Sequence, residues 1–187
     1  MRIGSLILRL VVGGVFVGHG LQKLTGAFDG PGLDGVESMM EKTGMTPAAR
    51  NARAVALTET AGGAAIALGV ATPVAAGGLI STMLVAIDKV HWRNGFWNTK
   101  GGWEFNAVLI AALAAIVADG PGRVSADAAF GRRRWGPLGA LAAAGIGVAG
   151  AVGAVQLAKR AAAEAEGDHG AFSTASDDAG SGREPAL

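Results

Sequence analysis

"IGSLILRLVVGGVFVGHGLQKL", residues 3–24, sets the fold class. It is apolar over a length that can cross a bilayer as one helix, which takes about 20 residues. Arg9 interrupts it, it is too long for a secretory leader, and no small-x-small cleavage site precedes a polar start. It therefore reads as an uncleaved first span. Gly14 and Gly18, four apart, offer small residues for a close helix contact in lipid. His19 and Lys23, also four apart, share a helical face where the run ends.

Further blocks of the same kind come after it. Residues 54–70 are apolar but carry Glu59, and "ATP" at 71–73 makes a tight turn into residues 74–92, which end on Asp88, Lys89 and His91. The loop "RNGFWNTKGG", residues 93–102, contains the turn pairs Asn-Gly and Gly-Gly. A fourth block opens at Trp103-Glu104, and its strictly apolar part is only about 14 residues, short for a span taken alone. The fifth, residues 138–158, has Gly139, Ala143, Gly147 and Ala151 as a small-residue ridge. Between the first two blocks, "LDGVESMMEKTGM" (33–45) places Leu33, Val36, Met39 and Met40 on one helical face, which predicts a short interfacial helix ending near Gly44. In the connector 119–137, Ser125 is placed to cap a short helix.

Composition agrees. Half of the 187 residues are apolar, and the charged fraction of 17% lies below the roughly 25% of ordinary soluble domains. The apolar blocks are too long and too unalternating for barrel strands. The expected fold is all-α and polytopic: a four-helix transmembrane bundle over residues 1–130, a basic connector and fifth transmembrane helix over 131–158, and a disordered polar tail over 159–187. The net charge of +1 and the lack of a basic, aromatic-studded stripe exclude a nucleic-acid partner. Without cysteine the chain makes no disulfide, thiolate nucleophile or cysteine-ligated cluster.

With helices running up and down, one end of the bundle collects His19, Lys23, Arg53, Glu59, Asp88, His91 and Glu104, while the other is nearly bare until the connector 123–134. An ionisable group several residues inside a span costs several kcal/mol unless it faces the interior and pairs, so Glu59 should meet Lys23 or His19. The blander readings are that Lys23 and Arg53 snorkel to the interface, and that Trp92, Trp97 and Trp103 form an interfacial belt. Haem ligation by His19 and His91 needs a matched pair of depths and is set aside, as is a zinc site, so no metal is expected.

Five motifs together, "HGLQKL", "ETAGGAAIALG", "HWRNGFW", "GGWEF" and "GPGRVSADAAF", resemble in order and spacing the DoxX family of bacterial membrane proteins, over residues 3–130. The resemblance implies a four-helix membrane bundle, from which this chain departs by its fifth span and its tail. It matches His19, Gly20 and Lys23 to a first-helix motif and Glu59 to a second-helix acid. His91, Asn94, Gly95 and Phe96 match the exit from the third helix, and Gly101, Gly102 and Glu104 the entry to the fourth. It also implies redox metabolism: the related DoxD is a subunit of a thiosulfate:quinone oxidoreductase, and DoxX-like proteins are linked with sulfur handling and oxidative stress.

These readings combine into an expected membrane subunit of a redox system in the bacterial plasma membrane, itself an enzyme only together with other subunits. His19, Lys23, Glu59 and Glu104 would form the pocket and proton relay, with His91, Asn94 and Trp103 holding the ligand. Histidine and carboxylate beside an apolar cleft suit quinone chemistry, which consumes protons. No covalently bound cofactor is expected. The expected partners are the lipid bilayer and a soluble or membrane oxidoreductase that supplies electrons, with a second copy of the chain as an open option. The competing readings are a non-catalytic scaffold that docks soluble oxidoreductases and a small proton-coupled carrier, the latter disfavoured by the lack of paired repeats.

The basic cluster 132–134 beside the fifth span predicts a cytoplasmic N-terminus. The cysteine-free chain permits a direct check: Ser38→Cys should react with an impermeant thiol reagent from outside the cell and Ser125→Cys should not, and the opposite pattern would invert the topology.

Overall fold

The structure is a computed structural model that describes residues 3–132 and 134–180, with side chains up to Gly167. Arg2, Arg133 of the basic cluster and the last seven residues of the expected tail, 181–187, lie outside the described residues. All regular structure among the described residues is helical, without a strand. Long helices α1 (Ile3–Thr25), α3 (Ala48–Leu68), α4 (Thr72–Ala86), α5 (Glu104–Asp119) and α7 (Gly136–Gly180) are joined by two short ones, α2 (Gly32–Lys42) and α6 (Ala126–Ala129).

Among the described residues, three helical stretches are long and apolar enough to cross a membrane: Ile3–Thr25, Thr72–Asn94 and Gly136–Gly167. α3 is not apolar enough and α5, with 16 residues, is too short to qualify alone, yet both pack into the same bundle. Leu57 on α3 and Val108 on α5 are exposed, as are Ile3, Ile7, Leu10 and Val11 on α1 and Leu138, Leu141, Val148 and Val152 on α7. So much exposed aliphatic surface is at home only against hydrocarbon.

The first packing contact is between α1 and α3, and it is made by backbone. A Cβ on Gly13 would sit 2.6 Å from the Gly63 carbonyl oxygen, and one on Gly63 would sit 2.8 Å from the Phe16 Cβ. Further along the same helices, Gly20 lies against Thr60 in the same way. The expected pair Gly14 and Gly18 plays no part, since nothing lies within 4 Å of either missing Cβ. The choice between the two sets belongs to the buried stripe Arg9, Val12, Gly13, Phe16, Gly20, whose spacing of three, one, three and four residues keeps one face inward. On the other side, the ridge expected on α7 is present. Ala143 and Ala151 are buried, and Gly147 lies against Ile80 of α4 while Gly77 of α4 lies against Ile146. The fifth long helix is thus a wall of the bundle, packed on α4 and α5.

Two further expectations are modified. α2 turns its apolar face onto the protein: Val36 and Met40 are buried with Met45, Ala52 of α3 and Ala158 of α7, forming a roof over one end of the bundle. And the chain beyond residue 159, expected to be disordered, continues α7 as helix to Gly180. "AAAEAE" consists of strong helix formers, and extending an existing helix needs no new nucleus.

At the opposite end the loops are locked by two buried charges, Arg9 and Asp127. Arg9 spans the α5–α6 loop, donating from one terminal nitrogen to the Pro121 carbonyl at 2.5 Å and from the other to the Val124 carbonyl at 2.6 Å. A planar guanidinium donates to the two carbonyls from separate nitrogens held in a rigid fork, whereas an ammonium would have to serve both from a single nitrogen. Gly69 ends α3 at φ +67°, and its missing Cβ leaves room for the Arg9 guanidinium. The first residue before α4, Ala71, also has a positive φ of 44° and no side chain with which to cap the helix. Asp127 supplies the cap from afar: its carboxylate accepts from the Ala71 and Thr72 amides at 2.8 and 3.0 Å, and from the Thr72 hydroxyl at 2.7 Å. A carboxylate at a helix N-terminus is favoured by the free N–H groups and by the helix dipole. The Trp135 indole adds a fourth donor at 3.2 Å, and Ser125 caps the short α6 through Ala128 as the sequence suggests.

Burial alone would raise the pKa of Asp127, but the hydrogen bonds from the Thr72 hydroxyl and amide, the Trp135 indole and the Ala71 amide outweigh it and hold the carboxyl below its ordinary value. The lowered folded pKa means that the stabilisation is complete above the unfolded value, about 3.9, and is lost as pH falls through the folded value. Asp127→Ala should lower stability by about 2 kcal/mol through stranded donors. Asp127→Asn should remove this carboxyl's share of the loss at acid pH. Thermal unfolding in detergent between neutral and acid pH checks both.

Candidate functional site

At the end roofed by α2, the helices enclose a cavity of about 600 Å³, within the range of roughly 300–1,000 Å³ typical of small-molecule sites. α1 contributes Phe16, His19 and Lys23, and α3 contributes Glu59. Phe105, Asn106 and Leu109 come from α5, and Ile146, Gly150 and Ala154 from α7. Most of the lining is apolar. Met39, Met40, Met45 and Met83, every methionine after the first, line it, giving walls that can adapt to the shape of an occupant.

The polar centre is the Lys23–Glu59 pair. The Gly13–Gly63 and Gly20–Thr60 contacts bring α1 and α3 so close that Lys23 Nζ reaches Glu59 Oε2 at 2.5 Å. The carboxylate side chain is 4% exposed and the lysine 20%. Lys23 also donates to the carbonyl of His19 at 3.5 Å, one helical turn back. The His19 ring itself is exposed and stands edge-on to Phe105, with centroids 6.5 Å apart. A buried carboxylate and a partly exposed ammonium are thus in contact, with an exposed imidazole one helical turn away on the same cavity wall, and each of the three groups can hold a proton.

α4 reaches the cavity by an irregular end. Residues Ile87–His91 form a π-helical turn and Trp92–Asn94 a 3₁₀ turn, and the π turn delivers Lys89, Val90 and His91 to the lining. Such a turn inserts one residue into a helix and re-aims the side chains beyond it. Lys89 is also 3.4 Å from Asp88.

Of the residues singled out from sequence, His19, Lys23, Glu59 and His91 share this cavity. Glu104, Asn94 and Trp103 are not in its lining. They build the α4–α5 loop. Glu104 accepts from the Asn98 amide at 3.1 Å, and Asn94 donates to the Gly101 carbonyl at 3.1 Å. Trp103 stacks on Trp92 with ring centroids 6.1 Å apart. His91 serves both structures, since its Nδ1 lies 2.7 Å from the Gly101 carbonyl oxygen. Gly102 has to be glycine because a Cβ there would strike the Gly95 and Phe96 carbonyls. "HWRNGFW" and "GGWEF" are therefore the two halves of one folded loop.

Sequence reasoning missed Asn106 and Lys89. Asn106 is buried and donates to the Met83 sulfur at 3.4 Å beside the cavity. A single amide inside "FNAVLIAALAAIV" was the available signal, on the same ground that singled out Glu59. Lys89 looks like an ordinary helix end, and nothing in the sequence announces a π turn.

The fold and site define a polytopic helical membrane protein with an amphipathic cavity at one end of its bundle. Residues 4–92 match the model of the DoxX family, so the segment from α1 to the end of α4 is a DoxX-family region, as the motifs imply. The match stops short of the α4–α5 loop, α5 and α7. No curated protein and no solved structure was found to match the chain.

The ion pair yields an asymmetric expectation. Lys23→Met strands a buried carboxylate, whereas Glu59→Gln leaves a lysine that can still reach solvent. Breaking a buried pair costs about 3–5 kcal/mol, and Lys23→Met should approach the lower end while Glu59→Gln costs less. The double variant should melt above Lys23→Met. Equal melting of Lys23→Met and wild type in detergent would reduce Lys23 to an interfacial anchor.

Proposed function

We propose that this DoxX-family membrane protein is the quinone-binding membrane subunit of a redox system, with the cavity holding the quinone ring. The observation that carries the reading is the Lys23–Glu59 pair, backed by His19, at the polar end of a largely apolar, methionine-walled cavity. Each part has a task. The apolar walls take the ring by burial. Lys23 and His19 can donate to a quinone carbonyl oxygen, and Glu59 holds Lys23 in place. Reduction of a quinone to a quinol takes up two electrons and two protons. Glu59, Lys23 and His19 are groups of the type that can supply the protons. With no cysteine in the chain, we assign the electrons to a partner oxidoreductase.

The scaffold reading is separated from this one by binding to the purified chain. Titration with 2-methyl-1,4-naphthoquinone, followed by quenching of tryptophan fluorescence in detergent, should show saturable binding. His19→Ala, an exposed position, should weaken it about tenfold, or about 1.4 kcal/mol, without changing the melting temperature. Wild-type protein that shows no saturable quenching would refute quinone binding and leave the docking role.

A further inference from the structure

The cavity lining reaches the surface of the bundle between α3 and α7. It includes Ala54 and Thr58 of α3, Gly78 of α4, and Ile146 and Gly150 of α7, of which Ala54, Ile146 and Gly150 are exposed. Ile146 is 42% exposed although it belongs to both the cavity lining and the span Gly136–Gly167. Helix contacts fix the height of this rim. A Cβ on Gly78 would lie 3.4 Å from Thr58 Cγ2, and one on neighbouring Gly77 would touch Ile146. Thr58 is next in sequence to Glu59, so the gap between α3 and α7 opens level with the Lys23–Glu59 pair. That level lies well inside both spans: Gly78 comes after the start of Thr72–Asn94 by more than one helical turn, and Ile146 after the start of Gly136–Gly167 by nearly three.

Gly78 leaves the rim without a side chain on α4, and small residues line α7 at Gly150 and Ala154. A ligand bound to Lys23 can therefore extend sideways through the gap. Whatever extends there must be apolar, because the bilayer core offers no hydrogen-bond partner. α7, which lies outside the family match, supplies one side of this opening.

We propose that the α3–α7 gap is a lateral portal for a hydrocarbon tail, and that the site selects quinones carrying an isoprenoid side chain over the bare ring. The inference rests on the quinone reading and adds the tail to it. The tail stays along Thr58, Gly78 and Ile146 while the ring meets Lys23. Tail contact contributes affinity by burial of methylenes, and the ring reaches the ion pair from the membrane without crossing water.

The test compares 2-methyl-1,4-naphthoquinone with the same ring bearing a ten-carbon isoprenoid chain, on the full chain in one detergent, so that micelle partition is common to all variants. Wild type should bind the tailed form at least tenfold more tightly. Gly78→Leu and Thr58→Leu, which fill the rim, should bring the ratio of affinities toward one. A photoreactive diazirine at the tail end should label wild-type peptides of residues 54–58 or 146–154, a readout independent of how the variants fold. Equal wild-type affinity for the two forms would overturn the portal while the quinone reading stands, whereas binding of neither would remove both. An unchanged ratio in the filled variants, or labelling confined to the α2 roof, would also defeat the portal. Loss of the tail preference on adding phospholipid would assign the gap to an acyl chain and defeat it as well.

Discussion

The bundle is organised around the backbone contact between α1 and α3. Lipid offers no hydrophobic drive between helices, so close packing and internal pairing must hold them together. Gly13 and Gly63 remove the side chains that would keep α1 and α3 apart, and Gly20 does the same at Thr60. At that separation Lys23 reaches Glu59 at 2.5 Å. A spacing larger by one side chain would leave a carboxylate unpaired inside a membrane protein, a state that favours either protonation or rearrangement. The glycines therefore determine the chemistry of the cavity although none of them need touch an occupant.

Charge is used differently at the two ends of the bundle. At the α6 end, Arg9 and Asp127 are held by carbonyls, amides, a hydroxyl and an indole, and they tie three loops into one closed structure. At the α2 end, Lys23 and Glu59 have each other, but His19 is exposed and the surrounding walls are flexible methionine side chains. A densely bonded network rigidifies, and a partly open one remains available to a ligand. Rigid closure at one end and an adaptable cavity at the other is the division of labour that the proposed function requires.

The α4–α5 loop shows how a motif with chemistry-bearing residues can be architecture. Asn94, Trp103 and Glu104 are the residue types of a binding site, yet their partners are loop amides, loop carbonyls and another indole. The turn 97–102 closes on itself, with the Gly102 amide donating to the Trp97 carbonyl at 3.0 Å and the Glu104 amide to Phe96 at 2.9 Å. The loop holds the end of α4 in the conformation that delivers Lys89 and His91 to the cavity. These motif residues bear on the site through position.

The helical membrane class, the order of the long helices, the small-residue ridge of α7, the Ser125 cap and the meeting of Lys23 with Glu59 were all legible in the residues alone. They come from periodicity, from apolar length and from the cost of an unpaired charge in lipid, which are local or pairwise quantities. Which glycines touch was a matter of tertiary packing: Gly14 and Gly18 have the better spacing, but the buried stripe through Arg9 and Phe16 turns Gly13 and Gly20 inward. Packing likewise made Arg9 a loop clamp, set Asp127 as the cap of a helix 55 residues earlier in the chain, and turned Glu104 to the loop. Those roles depend on which carbonyls and amides a distant turn leaves free, and a residue's own type and spacing contain no record of that.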